Sequence, residues 1–193
     1  MLFRSDPSVK GIWCVPRYSN PTGVTYSNEI VERLAQMQAA PDFRIFWDNA
    51  YAEHHLVDHP TSLENILAAC IAADHPDRVL MFASTSKMTF AGGGVAAMGA
   101  SAHNIADAKT KIGVQTIGPD KLNQLRQLQF FKDLNGLRTH MRAHAYILKP
   151  KFDLVEDILQ RELGNKQLAN WSKPTGGYLD RKSTRLNSSH SEI

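Results

Sequence analysis

The chain has 193 residues, 42% of them apolar and 21% charged, with a formal net charge of +3. That length supports one compact domain with a core, or one domain and part of another, in the ordinary globular range. The charge is too small and too dispersed to argue for nucleic acid as a partner; no apolar run reaches bilayer-spanning length, and "MLFRSDPSVK" lacks a signal peptide's apolar centre.

The first apolar run, "GIWCV" at 11–15, is bounded by polar and proline punctuation and reads as a buried strand. The turn "PRYSNPTG" follows and carries Asn20. In "SNEIVERLAQMQAA" the apolar positions Ile30, Val31, Leu34, Ala35 and Met37 recur at helical spacing, with Ser27 placed as the cap. A second strand, "FRIFW" at 43–47, ends in "DNAY", which supplies Asp48 and Tyr51. His54, His55 and His59 come next without a metal-ligand spacing, so no metal site is expected. "SLENILAACIAA" predicts a second helix opened by Ser62, and "RVLMFA" at 78–83 a third strand. That strand runs into "STSK", with Ser84, Ser86 and Lys87, and then into three glycines.

"GVAAMGAS" is a candidate fourth strand. The segment from about 122 to 163 is helical in pattern; Pro150 is expected to kink or break it, and Gly164-Asn165 to end it. Its basic residues Arg138, Arg142, Lys149 and Lys151 read as a solvated helix face. "WSKPTGGYLD" predicts a turn into one more strand. The polar stretch 181–193, "RKSTRLNSSHSEI", resembles translated adaptor sequence and is set aside as a non-native tail. Cys14 and Cys70 stand far apart in apolar settings, as expected of unpaired thiols in a reducing cytoplasm.

Strand, helix, strand, helix, strand predicts an α/β fold with a mostly parallel sheet. In such a sheet the loops at the carboxyl ends of the strands converge, and ligands bind there. An amide (Asn20), a carboxylate (Asp48), a phenol (Tyr51), hydroxyls (Ser84, Ser86) and one lysine (Lys87) are therefore expected in one crevice. A desolvated lysine forms imines with carbonyls, a carboxylate pairs with a ligand cation, and a phenol and an amide bond a ligand oxygen. Pyridoxal phosphate offers an aldehyde, a protonatable ring nitrogen and a phenolic oxygen.

"NPTG", "DNAY" and "STSK", in this order and each after a predicted strand, resemble the aminotransferase class I/II group of fold-type I pyridoxal-phosphate enzymes. The fuller wording "VPRYSNPTGVTYS" and "STSKMTFAGGGVAAMGAS" is similar to a bacterial aspartate aminotransferase-like branch. The resemblance implies a three-layer α/β/α sandwich over 1–118, belonging to a large pyridoxal-phosphate domain. It also implies connecting helices and the start of a smaller α+β domain over 119–180. Lys87 would hold the cofactor as an internal aldimine and shuttle the proton to and from the substrate Cα. Asp48 would pair with the pyridinium nitrogen, Asn20 and Tyr51 would donate to the phenolic oxygen, and Ser84 and Ser86 would contact the phosphate. Transamination of aspartate with 2-oxoglutarate by a cytoplasmic homodimer is the implied activity of an intact parent, of which this chain would be a central fragment, itself inactive. A lyase or synthase using the same cofactor, or the aminotransferase-like effector domain of a transcription regulator, shares the same motifs. Val95 stands where many class I enzymes place a phosphate-binding arginine, and the amides of Gly92–Gly94 are the candidate replacement as an anion nest.

Overall fold

Strands β1 (Gly11–Cys14), β2 (Arg44–Asp48) and β3 (Val79–Ser84) run parallel, and β4 (Ala96–Ala100) joins β3 antiparallel in the order β1-β2-β3-β4. The computed structural model describes residue 6, residues 8–166 and 169–179, and the backbone of 182–184. By contact the chain divides into two compact units. The first takes in the chain up to Pro16, then Tyr26–Ala50 and Thr61–Lys132; the second takes Arg17–Thr25, Tyr51–Pro60 and the chain from Asp133 onward.

In the first unit the two-residue period of the strands sorts the side chains onto two faces. Cys14, Ile45, Trp47 and Val79 point to one face and are buried with Val31, Ala35, Ile66 and Cys70 from helices α1 (Asn28–Gln36) and α2 (Ile66–Ala72). Trp13, Phe46 and Phe82 share the other face and stack nearly parallel, with ring centroids 5.5 Å apart for Trp13–Phe46 and 6.4 Å for Phe46–Phe82. Ser27 caps α1 as its position predicts, accepting the Ile30 N–H. The cap of α2 is Asn65 rather than Ser62: its Oδ1 accepts the N–H groups of Leu67 and Ala68, and residues 61–65 stay non-helical.

Helix α3 (Ala102–Gln115) has no counterpart among the predicted elements. It buries only Asn104, so it lacks the apolar stripe by which an amphipathic helix is read. Its start is fixed chemically: Ser101 Oγ accepts the Asn104 N–H, and the Asn104 side chain donates to the Asp77 carbonyl at 2.9 Å. Helix α4 (Lys121–Phe131) completes the unit's helices.

Arg78, 7% exposed, closes the carboxyl end of α1 by donating to the carbonyls of Ala35 (2.9 Å) and Met37 (2.5 Å). A cation there also opposes the negative end of the helix dipole. Arg78→Met strands both carbonyls and is expected to destabilise the protein by about 2–3 kcal/mol. A lower urea midpoint with an unchanged slope is the measurement.

The second unit is organised on α5 (Leu134–Leu163), thirty residues long and capped by Asp133, whose Oδ1 accepts the Gly136 N–H. Contrary to expectation, Pro150 does not break it. The missing N–H costs the bond to the carbonyl of Tyr146, and both residues lie on exposed turns where that carbonyl is open to solvent. Gly164 ends α5 as predicted. Lys149 meets Asp153 one turn along the helix at 2.7 Å, and Arg138 meets the more distant Glu53 at 3.4 Å. Strand β5 (Ala169–Trp171) pairs antiparallel with β6 (Lys182–Thr184), and Trp171 Nε1 donates to Glu156 at 2.8 Å. Apart from 182–184, the segment read as a tail lies outside the described residues. No helix among the described residues is long and apolar enough to cross a membrane.

Candidate functional site

Asp48 is the last residue of β2 and stands beside Phe82 of β3 in parallel register. Register partners in a parallel pair share a face, and Ser84, two residues past Phe82, returns to it. Thus Asp48 and Ser84 occupy one face at the carboxyl edge of adjacent strands, and the turn bearing Ser86 and Lys87 leaves from that edge. The Asp48 carboxylate is oriented from two sides: Oδ1 accepts the Ala50 N–H at 3.0 Å and Oδ2 the Trp13 indole N–H at 3.3 Å. The chain after it is held to β3 by the Asn49 N–H on the Phe82 carbonyl, 2.8 Å.

Thr85, between the two predicted serines, builds the lysine turn. Its carbonyl accepts the N–H groups of Met88 (2.9 Å) and Thr89 (3.1 Å), and its Oγ1 accepts the Val95 N–H at 3.0 Å. This fixes the backbone on both sides of Lys87 while the lysine and Ser86 stay exposed. The glycines pack against that turn. A Cβ on Gly94 would lie 2.5 Å from Ser86 Oγ and 2.8 Å from Ser86 Cα, closer than real atoms approach. From the other side α4 grips the loop, with the buried Asn123 amide donating to the Gly94 carbonyl at 3.0 Å and the buried Gln127 amide to the Gly93 carbonyl. Gly93 also spends its N–H on the Phe90 carbonyl, so a nest of three free amides over Gly92–Gly94 does not form; close approach explains Gly93 and Gly94, and a φ of 77° explains Gly92. Thr85 lies inside "STSK" without a role expected of it, and Asn123 and Gln127 lie in no motif, so none of the three was legible as a site-forming residue.

Asn20 and Tyr51 belong to the second unit. Asn20 is exposed on a loop closed by Gly23 N–H on the Ser19 carbonyl (2.6 Å) and Ser19 N–H on the Val24 carbonyl (2.9 Å), with a cis Asn20–Pro21 peptide bond. Tyr18 anchors this loop: it is 2% exposed, at a φ of 49° that non-glycine residues seldom adopt, and its hydroxyl lies 2.7 Å from His55 Nδ1. The "PTGG" run moulds itself on Tyr18 and the loop. Gly176 forms a bridge with His55, Gly177 N–H bonds the His54 carbonyl at 2.8 Å, and a Cβ on Gly23 would meet Pro174 at 2.7 Å. Tyr51 is buried in an edge-to-face cluster with His54 and Tyr178, at centroid distances of 5.5 and 6.2 Å.

Burial lowers the pKa of His55, opposed by Glu53 and reinforced by Arg17 and Arg138. The folded state therefore disfavours the charged ring. Its contribution to stability is complete above about pH 6.5 and declines as pH falls from there through the folded pKa. His144, lowered by burial and by His140, has the same sign. His55→Gln is expected to flatten, without abolishing, the fall in urea midpoint between about pH 7 and 5.

The profile of the family described as aspartate amino-transferase matches residues 1–184. A protein of Mycolicibacterium smegmatis described as an aminotransferase is 54% identical over 179 residues, covering 92% of this chain and 42% of that protein. An aspartate aminotransferase of Corynebacterium glutamicum is 45% identical over 175 residues, covering 90% of this chain and 40% of its own length. The crystal structure of an aspartate transaminase from C. glutamicum superposes with a TM-score of 0.91 at 43% identity, over 94% of this chain and 43% of that one. This chain therefore spans about two fifths of the relatives it matches, and within that span it belongs to the aspartate amino-transferase family.

Proposed function

We propose that the full-length protein carrying this chain is a pyridoxal-phosphate-dependent aminotransferase that passes nitrogen from aspartate to 2-oxoglutarate, working as a cytoplasmic homodimer. The observation that supports it most is the placement of Asp48 and the Lys87 turn at one edge of two parallel strands in register. An acid, an amine and two hydroxyls there match the ring nitrogen, aldehyde and phosphate of the cofactor. When bound, pyridoxal phosphate supplies an electron sink for the carbanion left by loss of a substrate Cα proton.

The residues divide the remaining work. Lys87 Nζ would hold the cofactor aldehyde, and as a free amine it would accept the proton from the substrate Cα. Asp48, pinned by Trp13 and Ala50, holds a protonated ring nitrogen at a fixed position. Asn20 and Tyr51 donate hydrogen bonds to the phenolic oxygen, and Ser84 and Ser86 donate to the phosphate. Thr85, Asn123 and Gln127 act through the backbone of the lysine turn and glycine loop, as positioning residues.

The full-length protein given aspartate and 2-oxoglutarate should form glutamate and oxaloacetate in equal amounts. Ammonia and pyruvate instead would mark a lyase and overturn the proposal. Asp48→Ala would remove the partner of the cofactor's ring nitrogen, a loss of about 3–5 kcal/mol where the bound cofactor buries that pair. Falling on the transition state, it should lower kcat/KM by about 10²–10⁴-fold.

A further inference from the structure

Two histidines of α5 lie outside the candidate site described above. His140 and His144 are four residues apart, one turn of the helix, and their ring centroids are 4.4 Å apart with planes inclined at 57°. Both are half-buried, which limits the conformations the rings explore. Residues at this spacing lie one above the other on a helix face. The cations nearest in sequence, Arg138 and Arg142, are each two positions before a histidine, about 200° around the helix at 3.6 residues per turn. Their charges are also engaged elsewhere, Arg138 with Glu53 and Arg142 with the Thr139 hydroxyl at 2.8 Å.

We propose that His140 and His144 form a two-imidazole chelate for a divalent transition-metal ion, Zn²⁺ or Ni²⁺ in class. Imidazole suits these ions, with metal–nitrogen distances near ~2.0–2.1 Å. Rings one helical turn apart can each turn one nitrogen toward a shared ion while the helix holds the backbone. No group of three His, Cys, Asp or Glu side chains gathers among the described residues, so the two imidazoles would leave the remaining coordination positions to solvent. Burial lowers the pKa of His144, which favours the neutral ring that ligates. His144 also lines a recess of α5 with Met141, Ala145, His54, His55 and Tyr178, so the metal would sit at its rim. Bridging two successive turns, it would stiffen α5 and raise the stability of the second unit, since it binds the folded chain better than the unfolded one.

The test is calorimetric titration of this chain with NiCl₂ and ZnCl₂, and with MgCl₂ as an oxygen-preferring control. One saturable equivalent of Ni²⁺ or Zn²⁺, none of Mg²⁺, and a rise in Tm on loading are expected. His140→Ala and His144→Ala should each abolish that equivalent and the Tm shift. Alanine is the best helix former, so neither variant should lose α5, which circular dichroism checks. His75→Ala, elsewhere in the chain, should leave the equivalent intact. Survival of the equivalent in either α5 variant, or its absence from the parent chain, overturns the proposal. None of these readouts uses the cofactor, so the outcome is separate from that of the proposed transamination.

Discussion

Lys87→Ala is expected to abolish site-specific attachment of pyridoxal phosphate while leaving the fold unchanged. Lys87 is exposed, and its turn is held by backbone bonds to Thr85 that do not involve the lysine side chain. A surface substitution of this kind shifts stability by no more than about 0.5 kcal/mol. The chemistry is a different matter, because Lys87 is the amine carried by the turn that leaves β3 at the edge shared with β2. Incubation with pyridoxal phosphate, borohydride reduction and peptide mass mapping should concentrate the label at residue 87 in the parent chain. In the variant that peptide should be unlabelled. In the full-length protein, loss of proton transfer alone should lower kcat by about 10²–10⁴-fold. Lys87→Arg keeps the charge but not the nucleophile and should fail equally. Label spread evenly over surface lysines in the parent chain, with none concentrated at Lys87, would sink the assignment.

What could be read from the sequence follows from how each feature is encoded. The three parallel strands announce themselves because burial on the α1/α2 face demands apolar, β-branched or aromatic residues in short runs. The fourth strand was legible too, and its antiparallel pairing follows from the short return over Gly92–Gly94. Helix α3 was not, because a helix that buries only an asparagine leaves no period to detect. The cap of α2 was misplaced by three residues: Ser62 and Asn65 are chemically equivalent choices, and tertiary packing of Ile66 and Cys70 decides between them.

The candidate site divides in the same way. Lys87, Asp48 and Ser84 sit at strand ends, so the alternation that predicts the strands also predicts their common edge. The supports do not. Thr85 looks like any turn residue, and Asn123 and Gln127 act from a helix some thirty positions downstream. That the Asn20 loop packs on Pro174 and Tyr51 on Tyr178, in a unit other than that of Asp48 and Lys87, depends on contacts between segments more than a hundred residues apart. Such contacts leave no local trace.

Gly176→Ala puts that long-range packing to the test, with a large structural effect expected of one methyl group. The added Cβ would lie 2.3 Å from Tyr18 Cζ and 2.4 Å from the His54 carbonyl oxygen. Neither neighbour can yield cheaply. Tyr18 is buried and tied to His55, and the His54 carbonyl accepts the Gly177 N–H, so the strain falls on backbone. Overpacking of this kind costs about 1–3 kcal/mol. Because Tyr18 precedes Asn20 by two residues, the strain should appear in the loop that carries Asn20. Amide exchange should therefore quicken at Gly23 and Ser19, whose N–H groups close that loop. Exchange at Ile45, bonded to the Arg78 carbonyl in the first unit, should be unaltered. Gly113→Ala is the control: it lies inside α3 with nothing within 4 Å of a new Cβ, and the change should stabilise the chain by up to about 1 kcal/mol. If Gly176→Ala left the Gly23 amide as protected as before, the moulding of the Asn20 loop on residues 174–177 would not hold it in shape.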